Sequence, residues 1–273
     1  MTSVTPSPEN SRIDITQPHT ARIWNYWLGG KDHYEVDRVA GDRIRELHPD
    51  IGAYARADRL FLGRAVTHLV AEAGIRQFLD VGTGLPTADN THEVAQRLAP
   101  DARVVYVDND PLVLAHARAL LTSTPEGRTD YLDEDLRNTD AILRHAEKTL
   151  DLTEPVALML LGVVIFVGDD EDPYGLVRRL LDRLPPGSHL VLSHTVTHPA
   201  MPDVDEAVRF WNEHGTPKLT QRTPERVAGF FDGLELLEPG VVSCSRWRPA
   251  PEGTGWAGEP EEVAMFGGVA RKH

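Results

Sequence analysis

Between residues 75 and 195 the chain alternates two hydrophobic patterns. RQFLDV, ARVVYVDND, VALMLLGVV and SHLVLSH are short, nearly continuous apolar runs and read as buried strands. TDYLDED reads as a shorter, more polar strand. Between these runs, apolar positions recur at three- and four-residue spacing, which predicts helices over NTHEVAQRLA, Pro111–Leu121, Thr139–Leu150 and DPYGLVRRLLDRL. Asn90 followed by Glu93 writes a capping box, and Pro111 sits at a first helical turn. Upstream, Asp37–Leu47 and Ala53–Ala73 read as helices, the second with Tyr54, Leu60, Phe61, Val66, Leu69 and Val70 at roughly helical spacing and Gly74 as its stop. Thr20–Arg38 is dense in aromatics, glycine and charge, too irregular for a simple core helix. Downstream, VDEAVRFWNEHG and TPERVAGFFDG read as helices, and LELLEPGVVSCSRWRP and EVAMFGGVARK as two strands around a connection at Pro249–Pro260.

This alternation predicts an α/β fold with a mostly parallel sheet covered on both faces. The two final strands, with no helix between them, predict an antiparallel hairpin at one edge. The Ser-, Thr- and Pro-rich residues 1–17 read as a disordered tail, residues 18–74 as an N-terminal lid and helices, and residues 75–273 as the sheet domain. In such a sheet ligands bind at the carboxyl ends of the strands, near the switch point between the first and fourth.

Composition narrows the ligand. The 273 residues carry 28 Lys and Arg against 42 Asp and Glu, a formal net charge of −14. That balance argues against nucleic acid and anionic membranes and favours a small-molecule or peptide partner. A single cysteine, Cys244, excludes an internal disulfide and a four-thiolate zinc site, and reads as a strand residue. The start lacks a secretory pattern and the apolar run Val156–Val167 is too short to span a bilayer, so a cytoplasmic protein is expected. His33, His194 and His198 do not make a metal set, and no metal is expected.

The strand ends hold the candidate chemistry. After the first strand come Asp80, Gly82, Thr83 and Gly84, a turn that lets backbone approach a ligand closely. After the second, Asp108 closes an apolar run where a carboxylate can take two hydrogen bonds from a ribose diol, while Asp110 serves as a helix cap. After the third, Asp133 or Asp135 can receive an adenine amine, and after the fourth Leu161 and Gly162 flank the middle of a ligand. Leu85 and Pro86 stand where a dinucleotide fingerprint needs its third glycine, and the turn runs on to Asp89 before the Asn90 cap. That loop is too long and acidic for a diphosphate. A nucleoside with a cationic sulfur and no phosphate, S-adenosylmethionine, fits better than NAD.

FLDVGTGLPTADNTHEVAQ, ARVVYVDNDPLVLAHARALL, DEDLRN, SHLVLSH and the leading ARIWNYWLGGKDHYEVDR resemble the bacterial S-adenosyl methyltransferase family, a former domain of unknown function, from about Thr20 to Lys272. The resemblance implies a Rossmann-like class I methyltransferase with a seven-stranded sheet. It implies S-adenosylmethionine bound at Asp80, Gly82, Gly84, Asp108, Asn109 and Asp135, with Thr83, Leu136, Leu161 and Gly162 beside them. Where relatives show a histidine before a phenylalanine after the fourth strand, this chain has Ile165 before Phe166. No amine-methylating Asn/Asp-Pro-Pro-Tyr signature is present.

The expected activity is in-line methyl transfer to a small-molecule acceptor. The alternative is a non-catalytic regulator that binds S-adenosylmethionine or a nucleoside. The expected lid is Trp24–Tyr34: Asn25 and Tyr26 against substrate, Gly29 and Gly30 as a hinge, and Lys31 for an acceptor carboxylate. Trp27 and Leu28 are read as fastening the arm to the core. His194 and Trp211 complete the expected substrate set.

Overall fold

The computed structural model describes residues 14–120, 122–249 and 260–273, without the side chains of 118–120. Three helices come first: α1 (Thr20–Trp27), α2 (Glu35–Leu47) and α3 (Ile51–Ala71). The alternating part follows as β1 (Gln77–Val81), α4 (Thr91–Leu98), β2 (Arg103–Asp108), α5 (Pro111–Leu120), β3 (Arg128–Asp133), α6 (Thr139–Ala146), β4 (Ala157–Leu161), α7 (Pro173–Asp182) and β5 (His189–Thr195). Then come α8 (Pro202–His214), α9 (Pro224–Ala228), β6 (Glu235–Leu236), β7 (Val242–Ser243) and β8 (Met265–Arg271).

The strands form one sheet in the order β3-β2-β1-β4-β5-β8-β6, with β7 also paired to β8. The first five are parallel, and β8 runs antiparallel to β5, β6 and β7. The chain leaves β1 toward β2 and β3, then returns to place β4 on β1's other side. A crevice opens at that reversal. Central β1 and β5 are buried along their whole length, as continuous apolar runs predict, whereas β3 at the edge is exposed at both ends.

The expected strand over 234–249 is broken. Pro239 supplies no N–H, and the Gly240 N–H turns back to the Leu237 carbonyl at 2.8 Å. Two-residue β6 and β7 therefore share one side of β8, and the seven expected sheet positions hold eight strand segments among the described residues. Cys244 lies one residue past β7 but still bonds through its backbone to Met265. Residues 1–13 of the expected tail and 250–259 of the connection lie outside the described residues. The last residues of that tail are anchored, since the Arg22 guanidinium donates to the carbonyls of Asp14 (2.8 Å) and Gln17 (2.6 Å).

The Thr20–Arg38 stretch, expected to be irregular, opens with helix α1. Its buried face is Arg22, Ile23 and Asn25, so polar side chains occupy positions where a periodicity reading looks for apolar ones. The Asp37 carboxylate on α2, fully buried, accepts from the backbone of His19 (2.9 Å), the backbone of Tyr34 (2.8 Å) and Arg22 Nε (3.1 Å). A buried charge needs such partners, and here they lock α1 onto α2. Helix α3 carries a conventional apolar face. Phe61, Val66 and Leu69 are fully buried, each worth roughly 1.5–3 kcal/mol of removal from water. It closes as the sequence suggests: Gly74, with φ of 71°, lets the Ile75 N–H reach the Leu69 carbonyl at 2.9 Å. Among the described residues no helix is long and apolar enough to cross a membrane.

Candidate cofactor and acceptor site

A cavity of about 490 Å³ lies at the carboxyl ends of β1, β2 and β4, beneath α1, α3 and α8. Its volume is in the usual range for small-molecule sites, roughly 300–1,000 Å³. All ten residues expected to hold the cofactor line it. On the sheet side the backbone shapes the wall. Gly82 and Gly84 take φ values of 77° and 67°, which side chains rarely adopt. A Cβ on Gly82 would stand 2.3 Å from Val163 Cγ2, so the turn after β1 lies flat on the segment after β4. A Cβ on Gly84 would meet nothing within 4 Å.

Asp108 fastens this turn. Its Oδ2 accepts the Gly84 N–H at 2.8 Å and its Oδ1 accepts the Asp110 N–H at 2.9 Å. Each oxygen keeps a further lone pair. Burial pushes the carboxyl's pKa up, against the two backbone donors that favour its charge. Asp80 is buried deeper; its Oδ2 accepts from Thr91 Oγ1 at 2.6 Å and burial raises its pKa to about 6. Farther along, Asn109 Nδ2 donates to Asp135 Oδ2 at 3.2 Å. Arg137 contacts Asp135 at 3.2 Å, pairs with Glu171 at 2.5 Å and donates to the Phe166 carbonyl at 2.8 Å, tying the β3 end to the β4 loop. Asp133, the other acid weighed at that strand end, is not part of the cavity wall.

The start of α4, where a diphosphate would need free N–H groups, is closed by the chain itself. Glu93 Oε2 accepts the Asn90 N–H at 2.8 Å, and the Tyr106 hydroxyl oxygen accepts the His92 N–H at 2.8 Å. The wall thus offers carboxylates for hydroxyl and amine donors, negative charge for a cation, and Arg59 among its lining residues for a carboxylate. Those are the requirements of S-adenosylmethionine.

A family model described as S-adenosyl methyltransferase matches residues 6–273. The chain belongs to that family. The methyltransferase resembles the crystal structure of a DUF574 family protein from Streptomyces avermitilis at 47% identity, over 96% of this chain and 100% of that one, with a TM-score of 0.90. A candidate methyltransferase from Thermobifida fusca is 38% identical over 99% of each chain, with a TM-score of 0.86. Magnesium protoporphyrin IX methyltransferase from Synechocystis, solved with bound S-adenosylhomocysteine, is 12% identical at a TM-score of 0.51 and shares the fold. None of the curated proteins matches this chain. The protein is therefore a methyltransferase of the class I fold that uses S-adenosylmethionine, and the family assignment leaves the regulatory alternative without support.

The substrate set is less evenly placed. Asn25 and Trp211 line the methyltransferase's cavity. Asn25 also accepts the Asp32 N–H at 3.0 Å and packs under Gly30, so it braces the turn at Gly29 and Gly30 that ends α1. Tyr26 faces outward, its hydroxyl donating to Asp42 at 2.6 Å, and Lys31 is exposed; neither lines the cavity. His194 is also outside it. Its Nδ1 lies 2.7 Å from the Thr195 carbonyl and its Nε2 2.7 Å from Arg222, and burial lowers its pKa to about 4. Buried Arg222 also donates to the Val167 carbonyl (2.8 Å) and pairs with Asp169 (2.9 Å), so His194 belongs to the support behind the β4 loop. Trp27 and Leu28, read as fasteners, also line the cavity, as does Trp24 of the expected lid.

Two buried acid–base groups in the lining, Asp58 and His48, escaped the sequence reading. Asp58 on α3 is buried, accepts from Ser193 Oγ at 2.6 Å and has its pKa raised by burial to about 6. The signal was available: Asp58 falls on the stripe of Tyr54, Phe61 and Leu62, where an acid breaks an apolar face. His48, the residue after α2, gave no such signal. Among the described residues no cluster of three or more His, Cys, Asp or Glu is arranged to hold a metal ion.

Proposed function

We propose that this cavity is where the cofactor and a small, largely apolar acceptor meet, with the ribose hydroxyls on Asp108, the adenine beside Asp135 and Leu136, and the methionine end along Gly82–Gly84. The observation that carries this reading is the Asp108 carboxylate. It clamps the Gly84 backbone at 2.8 Å and still has acceptor capacity facing the cavity. Bound there, the cofactor supplies an electrophilic methyl on a sulfonium leaving group. The chain's contribution is position and exclusion of water. Trp24, Trp27 and Trp211 wall off the acceptor end, and Asp58 and Asp80 put buried negative charge beside a cationic ligand.

Calorimetry with S-adenosylmethionine, S-adenosylhomocysteine and NAD tests the reading. Binding of the first two without NAD is expected. Asp108→Ala should weaken S-adenosylmethionine binding by about 1–3 kcal/mol, the cost of losing hydrogen bonds to a charged acceptor. An unchanged affinity would remove Asp108 from the cofactor site.

A further inference from the structure

The acceptor end of the cavity contains one buried polar atom with no partner that is suited to take a proton. His48 is 7% exposed and lines the cavity. Its Nδ1 lies 2.5 Å from Asp203 Oδ2, at the start of α8. A carboxylate only accepts hydrogen bonds, so the tautomer assigned by this contact carries its proton on Nδ1. That leaves a lone pair on Nε2, a buried atom with no hydrogen-bond partner. The Tyr54 ring meets the imidazole edge-on at 6.1 Å and fixes its plane. A histidine oriented by an acid, with its second nitrogen free, is the arrangement of a general base.

The surroundings narrow the acceptor. The three helices around the pair also line the cavity with Ile44, Ile51, Tyr54, Val204, Ala207 and Trp211. Tyr54 is a poor alternative base. Its hydroxyl is engaged with Thr195 Oγ1, and burial pushes its pKa far up. Asp58 is held by the Ser193 hydroxyl, which donates to its Oδ1 at 2.6 Å. An apolar pocket with one basic nitrogen suits a mostly apolar, ring-bearing molecule that presents an acidic hydroxyl.

Resting on the cofactor reading above, we propose that His48, positioned by Asp203, is the general base for O-methylation of a phenol-like or enol-like acceptor. The acceptor's O–H bond breaks and its proton forms an N–H bond at Nε2, while Asp203 balances the imidazolium. The oxygen's electron pair forms the new O–CH₃ bond, and the electrons of the broken sulfur–carbon bond stay on sulfur. The imidazolium then returns its proton to water.

The test uses 4-nitrophenol as probe, because its phenolate absorbs visible light and its neutral form does not. The full chain is saturated with S-adenosylhomocysteine and titrated with the probe at a pH where the free phenol is mostly neutral. The expected result is a bound phenolate band, reduced at least ten-fold in His48→Gln and partly in Asp203→Asn, which keeps a hydrogen-bonding group at Nδ1. S-adenosylhomocysteine affinity stays the same in both variants. No band in the unaltered protein, or an equal band in His48→Gln, overturns the base. Failure of the unaltered protein to bind S-adenosylhomocysteine overturns the cofactor reading on which the base rests, and calorimetry separates the two results.

Discussion

The two walls of the cavity are made by different means. On the sheet side, backbone does the shaping: two glycines at positive φ, N–H groups held by Asp108, and a turn pressed onto Val163. On the helical side, side chains do it: Trp24, Trp27 and Trp211 fill the wall, with Asn25, His48, Asp58 and Arg59 as polar groups among them. A backbone-built wall holds one ligand shape and tolerates little change. A wall of side chains can be recut residue by residue, which suits a fold that keeps its cofactor and varies its acceptor.

The sharpest way to break this contrast lies on the sheet side. Gly82→Ala forces a side chain into positive φ and against Val163, so it should cost about 2–4 kcal/mol and abolish measurable S-adenosylmethionine binding. Gly84→Ala meets only the backbone penalty, since its Cβ would point into open space, and should cost about 1–2 kcal/mol. Chemical denaturation and calorimetry on both variants read the difference. Equal effects at the two positions would mean that contact with Val163 is not what sets the turn.

On the helical side the corresponding experiment stabilises the protein. Burial holds the Asp58 pKa at about 6, above the ordinary range of an aspartate, so ionising it costs more in the fold than in the unfolded chain. Between about pH 4 and pH 6 the unfolded chain gives up this proton first, and stability falls as pH rises through that window. Asp58→Asn keeps an acceptor for Ser193 and removes the charge. It should be more stable than the parent by on the order of 2 kcal/mol above pH 6, with the gain vanishing below pH 4. Denaturant midpoints at pH 4 and pH 8 measure this. A variant no more stable at pH 8 would show that the acid is solvated or paired in solution.

The same contrast explains what the sequence disclosed. The sheet, its order of elements and the cofactor wall follow from apolar runs ending in Asp80, Asp108 and Gly162, because strand periodicity and glycine turns are local signals. Broken β6 and β7 could be anticipated from Pro239 and Gly240 within an otherwise apolar run. The helical wall was much harder to read. Helix α1 buries Arg22 and Asn25 through partners 15 and 7 residues away, Asp37 and the Asp32 N–H. The role of His48 depends on Asp203, 155 residues further on. His194 looked like a site residue because it ends a central strand, yet its ring turns to Arg222, which no local pattern foretells. Composition could identify the aromatic arm but not which of its rings point inward.

The smallest expected effect tests that last point. Tyr26 and Trp27 are adjacent on α1 and look equally suited to a ligand, yet they part company in the fold. The Tyr26 hydroxyl donates to exposed Asp42 at 2.6 Å, and Arg45 lies 5.0 Å from its ring centre, both on the surface of α2. Trp27 anchors its Nε1 on the Gly41 carbonyl at 3.2 Å, packs 6.0 Å from the Trp24 ring and lines the cavity. Surface hydrogen bonds and ion contacts of this kind contribute little, because water competes for both partners. Tyr26→Phe should therefore lower stability by about 0.5 kcal/mol and leave binding of S-adenosylmethionine and 4-nitrophenol unchanged. Trp27→Ala should weaken the 4-nitrophenol complex several-fold with the same cofactor affinity. If Tyr26→Phe weakens the probe and Trp27→Ala does not, the helix sits rotated in solution and the acceptor wall is made by its other face.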